Sequence, residues 1–277
     1  MLTQKAFIKV GVYVDATYAY KNGGSKMQYG ILRQFATRDG SEIIRLNAYV
    51  SFDAERGKKD LYFKETVGKY HAVLRDFGYK VIIKEVKWFR DDNGELYGKA
   101  NADLDLAIDM LLQSEKLDKV VLVTGDGDFT QVVKAVQNRG VRVEVIAFDN
   151  VSSELRNEAD TFLSGFLIPD LVPIASDPKA PQWGQIGSRV RGTCCSRKDD
   201  FGFMRFMERI SPEICLSDAK NPDSPYKDVY FHESQLPKTI NYPLPSYNHV
   251  FEFELARPPR KEDAYEAKNI QFVSRFP

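Results

Sequence analysis

Two short β-branched runs, each closed by aspartate at a turn, constrain this chain more than any other feature. Val10-Gly-Val-Tyr-Val14 ends in Asp15, and Val120-Val-Leu-Val123 runs into Thr124-Gly-Asp-Gly-Asp-Phe129. Short apolar runs without polar alternation are buried on both faces, the signature of central parallel strands. In open parallel sheets, ligands bind outside the carboxyl ends of the strands, where Asp15, Asp126 and Asp128 stand. Several carboxylates with no histidine or cysteine among them make an oxygen-rich site suited to Mg²⁺ or Mn²⁺, ions that assist phosphodiester cleavage. A plainer role for Asp126 and Asp128 is capping the helix expected from about Phe129, for which one carboxylate would suffice.

A fourth acid, Asp103, opens the periodic segment Asp103-Leu-Asp-Leu-Ala-Ile-Asp-Met-Leu-Leu112. At about 100° per residue, Leu104, Ala107, Met110 and Leu111 are expected to form its apolar face. Asp103 falls on that face between Leu106 and Ala107, with Asp105 and Asp109 on the wetter side. A carboxylate on an apolar stripe is costly unless paired or metal-bound; the alternative is a first-turn acid interacting with the helix dipole.

Strand and helix alternate around these acids. Helical periodicity through Ile31, Leu32 and Phe35 follows a Gly23-Gly24 loop; Ile43–Ser51 reads as a strand, Leu61–Phe77 as a helix and Lys80–Val86 as a strand. A turn at 90–94, the acidic helix, the Val120 strand, a helix, the strand Val141–Ala147 and a last helix complete it. The expectation is an α/β unit, a mainly parallel sheet with helices on both faces. Pro169, Pro173, Pro178 and Pro181, with Ser176, Asp177, Gly184 and Gly187, then mark an extended connection. We expect a first domain over residues 1–172, a Pro-rich linker over 173–187 and a second domain over 188–277, where short aromatic segments suggest a small β-barrel.

The ordered acids resemble the NYN domain, the LabA-like branch of the PIN-like nucleases. Val12-Tyr-Val-Asp15 resembles that family's first strand, and Lys99-Ala-Asn-Ala-Asp103 with Leu106-Ala-Ile-Asp-Met110 its acidic helix. Thr124–Phe129 with Val132–Gly140 resembles its most recognisable stretch, and Ser152–Arg156 with Ala159-Asp-Thr-Phe162 its closing helix. The resemblance implies a metal-dependent endoribonuclease cleaving single-stranded RNA, with Asp15, Asp103, Asp126 and Asp128 as catalytic residues and ligands of Mg or Mn. Lys9, Lys26 and Lys99 are candidate phosphate contacts, with solvated surface lysine as the plainer reading of each. The chain departs from the family at Tyr18, where an asparagine is usual; tyrosine cannot supply an amide carbonyl. That departure opens the alternative of a non-catalytic RNA-binding or regulatory adaptor with a degenerate site.

The second domain resembles the cold-shock domain, an OB-fold barrel. Arg191-Gly-Thr193 resembles its first strand, Asp200-Phe-Gly-Phe-Met204 and Asp228-Val-Tyr-Phe-His-Glu-Ser234 its two nucleic-acid motifs, and Val250–Glu254 and Ala267–Ile270 its last strands. Alternation along a strand aims Phe201 and Phe203 one way, and Tyr230 and His232 likewise, so four rings can meet unpaired bases. Otherwise Phe201 and Phe203 fill the barrel core, but Gly202 between them favours exposure. Ser196 replaces an expected tryptophan, Glu233 an expected aromatic, and residues 208–225 look inserted. The partner implied is single-stranded RNA, with single-stranded DNA a further candidate.

Other functional classes fit less well. Asp15-Ala-Thr17 suggests a haloacid-dehalogenase nucleophile loop but lacks a second aspartate at Thr17, and Asp126-Gly-Asp128 suggests a Toprim metal pair without its glutamate-bearing strand. Equal numbers of basic and acidic side chains, 39 each, argue against a polycationic nucleic-acid coat. Cys194, Cys195 and Cys215 lack metal-ligand spacing with His71, His232 and His249 and read as free thiols of a reducing compartment. Without a signal-peptide pattern at the N-terminus or a membrane-length apolar run, the expectation is a soluble, cytoplasmic protein.

Overall fold

The computed structural model describes residues 7–91, 93–174, 179–238, 240, 242–258 and 264–277, except for the side chain of Lys99. Ser176, Asp177 and Pro178 of the expected linker, and the N-terminal residues through Ala6, lie outside them. The chain divides into two compact units, Met1–Ser25 with Leu32–Leu163, and Lys26–Ile31 with Ser164–Pro277. Among the described residues no helix is long and apolar enough to cross a membrane.

In chain order the first part runs β1 (Lys9–Asp15), α1 (Ala16–Lys21), α2 (Tyr29–Ala36), β2 (Glu42–Phe52), α3 (Ala54–Lys59), α4 (Leu61–Asp76) and β3 (Lys80–Glu85). It continues with β4 (Lys87–Arg90), β5 (Leu96–Lys99), α5 (Ala102–Gln113), β6 (Lys119–Val123), α6 (Thr130–Gln137), β7 (Arg142–Ala147), α7 (Ser153–Glu158) and β8 (Thr161–Ser164). Six strands form one sheet in the order β3-β2-β1-β6-β7-β8, while β4 and β5 make a separate hairpin. The β1–β2, β2–β3, β1–β6 and β6–β7 pairs are all parallel.

The sheet is covered on both faces, as the unbroken apolar runs demand. Tyr13, Val120, Leu122, Val143 and Val145 pack with Leu106 and Met110 of α5 and Val133 of α6. Residues one register away, Val10, Val12, Val14, Val121 and Val123, are also fully buried. Each such valine contributes roughly 1.5–3 kcal/mol relative to exposure. The register sets Val14 beside Val123, so β1 and β6 end together and release their acid-bearing turns side by side.

Local differences from the sequence expectations have physical causes. On α5, Leu106 and Met110 are completely buried, whereas Leu104 is 56% exposed, so Leu104 does not belong to the apolar face. Leu104, Ile108 and Leu112 form a second stripe at i, i+4 and i+8, and only packing selects which stripe meets the sheet. The segment at Ala159–Phe162 is not helical: α7 stops at Glu158, and Thr161 begins the edge strand β8. A short helix, α1, also follows Asp15 directly, capped by the Asp15 side chain.

The second unit holds β9 (Arg189–Arg197), β10 (Phe201–Met207), β11 (Tyr226–His232), β12 (Ser246–Ala256) and β13 (Glu266–Arg275). They close into a five-stranded mixed barrel in the order β10-β11-β13-β12-β9. The β11–β13 contact is parallel and the remaining pairs antiparallel. Cys194, Met204, Phe206, Val229, Phe231, Phe251 and Phe253 fill its interior.

Candidate active site

Asp15 lies at the end of β1, buried, and its two carboxylate oxygens are both engaged. Oδ1 accepts the backbone N–H of Tyr18 at 2.8 Å, and Oδ2 accepts the Thr124 hydroxyl at 3.3 Å. The fully buried Thr124 in turn accepts the N–H of Asp126 at 3.2 Å, and Asp126 Oδ1 accepts the N–H of Asp128 at 3.0 Å. Thr124 therefore joins the two strand ends, and Asp126 caps the short 3-10 turn Gly127–Phe129. Capping is thus real for Asp126, as the plainer reading held, but it uses one oxygen and leaves Asp128 outside the account.

Two of the four acids, Asp15 and Asp103, are shifted by their surroundings. Burial pushes the Asp15 carboxyl up to about 6 from 3.8, against the stabilising Tyr18 amide and Thr124 hydroxyl, and the negative charges of Asp103 and Asp126 add to the rise. Asp103 is also raised, first by desolvation and then by Asp126 and Asp128, with Lys21 opposing. Asp103 and Asp128 line an open cleft of about 550 Å³ together with Thr17, Lys21, Ser51 and Asn101. Asp15 and Asp126 are not part of its wall. The other two acids of α5 are occupied: Asp105 pairs with Lys84 at 2.5 Å, and Asp109 accepts the Tyr49 hydroxyl at 2.8 Å.

Among the described residues, no three His, Cys, Asp or Glu side chains already form a shell that holds a metal ion. The donor chemistry nonetheless fits a hard divalent cation, because the oxygens of Asp103, Asp128 and Asp126 are hard ligands gathered beside a buried Asp15 whose carboxyl burial and neighbouring acids raise.

The NYN domain family matches residues 9–170, more than half of the chain. The chain belongs to the NYN domain family. It is 28% identical over 162 residues to the Low amplitude and bright protein LabA of Synechococcus elongatus, covering 56% of this chain and 82% of LabA. A crystal structure of a protein of unknown function from Vibrio parahaemolyticus is 23% identical, covers 59% of this chain and 96% of its own, and superposes with a TM-score of 0.45, too loose a likeness to argue from. The NYN domain is a PIN-like nuclease fold, and such domains are typically metal-dependent and act on nucleic acid.

Within this NYN domain, Tyr18 does not reach the cleft as a substitute amide. Its buried hydroxyl donates to the carbonyl of Asp149 at 2.6 Å and accepts the N–H of Phe148 at 3.1 Å. The ring lies against Gly125, where any Cβ would collide with the tyrosine hydroxyl, so the glycine of the Thr124–Phe129 loop and Tyr18 require each other. Among the described residues the cation lining the cleft is Lys21, which sequence reasoning missed. The i, i+4 spacing of Thr17 and Lys21 would have placed both on one helix face had Asp15 been read as an N-cap. Lys9 is at the opposite end of β1 from Asp15, Lys26 is exposed and groups with the second unit, and the Lys99 side chain is not described.

On the barrel, β10 and β11 pair Phe201 with His232 and Phe203 with Tyr230. Phe201 and Tyr230 have ring centroids 5.9 Å apart, and Phe203 meets Tyr230 edge-on at 6.2 Å. These side chains are half-buried or exposed on the outer face, whereas Gly202, Met204, Val229 and Phe231 point inward. A Cβ on Gly202 would come within 2.5 Å of both the Phe231 ring and the Ser196 carbonyl, so only glycine lets the core ring pack beneath the outer pair. His232 is held by Ser234, whose hydroxyl lies 2.8 Å from Nδ1. Glu233 is paired with Arg197, and Lys198 Nζ stands 5.7 Å from the Phe201 ring centre.

Proposed function

We propose that this chain is a metal-dependent endoribonuclease that cuts single-stranded RNA at the Asp15–Asp103–Asp126–Asp128 site and grips unpaired bases on its barrel. The observation that carries the reading is the gathering of acids at the joined ends of β1 and β6, where Thr124 links Asp15 to the Asp126 turn, and Asp128 and Asp103 line one cleft. Mg²⁺ or Mn²⁺ bound there would supply polarisation of the scissile phosphate, activation of water and neutralisation of the leaving 3′ oxygen. Asp103 and Asp128 face the cleft as ligands, and Asp126 joins them through its second oxygen. Thr124 fixes the orientation of Asp15, and Lys21 meets a non-bridging phosphate oxygen. Phe201, Phe203, Tyr230 and His232 stack on successive bases, which selects unpaired over duplex strands.

One observation supports the second reading, an RNA-binding adaptor. Both Asp15 oxygens already accept hydrogen bonds, so binding an ion means exchanging or sharing them. A circular single-stranded RNA incubated with the full chain in Mn²⁺ separates the two. Linear product that EDTA prevents is the expected result, since an exonuclease has no end to attack. An intact circle that still binds the protein gives the adaptor reading.

A further inference from the structure

The barrel carries an open groove, about 810 Å³, that the stacking face does not account for. Phe203 forms one wall; Tyr265, Lys227 and Glu208 line the barrel side; Lys220 comes from the segment between β10 and β11, and Arg257 from the end of β12. The volume lies in the range of small-molecule sites.

The wall contributed by residues 208–225 is built rather than loose. The Tyr226 hydroxyl donates to the Ile214 carbonyl at 2.8 Å, the Ser224 hydroxyl to the Leu216 carbonyl at 2.7 Å, and the Glu208 N–H to the Pro225 carbonyl at 2.8 Å. Ile214 is buried beneath it. These bonds fix the segment that carries Lys220 beside the barrel.

The charge of the groove favours an anion. Among the described residues its acids are Glu208 and Asp228, and Asp228 is neutralised by two bonds from Arg205, at 2.7 and 3.0 Å. Glu208 has only longer contacts, 3.6 Å to Arg209 and 3.9 Å to Lys227. Lys220 and Arg257 are both exposed. Phe203 belongs to both surfaces, which makes the groove continuous with the stacking face.

We propose that the groove between Phe203 and the 208–225 segment is a nucleotide subsite of single-stranded nucleic acid, with Lys220 and Arg257 holding the phosphate of the nucleotide beyond the stacking face. The inference rests on the reading of the barrel as a single-strand binder. It assigns the inserted segment a task, lengthening the footprint past the four rings.

The test uses the full chain, 5′-labelled oligo-U of about four and about eight nucleotides, and fluorescence anisotropy across a salt series. The Lys220→Ala/Arg257→Ala double variant should bind the shorter strand as wild type does and the longer one roughly tenfold more weakly. Its salt slope on the longer strand should fall by about 0.7, the value for one phosphate contact. Both side chains are exposed, and a thermal melt verifies that the fold is kept. Unchanged affinity and slope on the longer strand, with Phe201→Ala still weakening both lengths, overturns the subsite and leaves the stacking face standing. Binding that Phe201→Ala leaves untouched at both lengths overturns the barrel reading and the subsite with it.

Discussion

The Tyr18 hydroxyl sits 2.6 Å from the Asp149 carbonyl, tying the first helix to the chain just beyond β7. Because the same residue donates its backbone N–H to Asp15 and packs its ring under Gly125, it holds the acid-bearing turns of β1 and β6 at a fixed spacing. Tyr18→Phe removes both hydroxyl bonds and should cost about 1–3 kcal/mol. Tyr18→Asn also empties the space under Gly125 and should cost about 3 kcal/mol or more, with no gain in cleavage. Thermal melts and RNA cleavage by both variants check this; faster cleavage by Tyr18→Asn would show that tyrosine had displaced a working asparagine.

Asp15 predicts a pH dependence with a definite sign. Below 3.8 the carboxyl is protonated folded or unfolded, whereas between 3.8 and about 6 only the folded state keeps the proton. Its contribution to stability is therefore present at low pH and lost as pH rises through that window, at most about 2–3 kcal/mol for a shift of about two units. In EDTA, Asp15→Asn should melt above wild type near neutral pH, and the difference should close below about pH 4. Added Mn²⁺ should raise the wild-type melting temperature and leave Asp15→Asn unmoved; equal metal responses would remove Asp15 from the ligand set.

What the sequence made legible, and what it hid, follows from packing. The central strands and the positions of Asp15, Asp126 and Asp128 could be read because a run buried on both faces has few alternatives and must end at a turn. The orientation of α5 could not, since Leu104-Ile108-Leu112 is as apolar as Leu106-Met110 and periodicity cannot rank two stripes. The six residues of α1 are too few for a periodic signal, so Lys21 went unseen. The hairpin strands β4 and β5 are short, and Trp88, Phe89, Leu96 and Tyr97 are exposed, which leaves no buried pattern to detect. On β10 both faces carry large apolar side chains, and Gly202 with the matching Tyr230 and His232 pair indicated which one pointed out.

That glycine gives a prediction separable from binding. Gly202→Ala drives a methyl group into Phe231 and the Ser196 carbonyl and should destabilise the barrel by about 1–3 kcal/mol. Phe203→Ala, on the outer face, should leave the melting temperature nearly unchanged and weaken single-strand binding by roughly ten- to a hundredfold. Duplex binding should not change. A large stability loss in Phe203→Ala with unaltered binding would return that ring to a structural role.

Asp126→Asn is the sharpest probe of the acidic site, because the amide oxygen can still cap the turn at Gly127–Phe129 while the charge felt by Asp15 and Asp103 is gone. The decisive measurement is the rate at which the wild type and Asp126→Asn cut a single-stranded RNA in metal-stripped buffer with Mn²⁺ restored. The account predicts cleavage by the wild type, none by Asp126→Asn, and matching melting curves. Equal cleavage by the two proteins, or none by either, would contradict it.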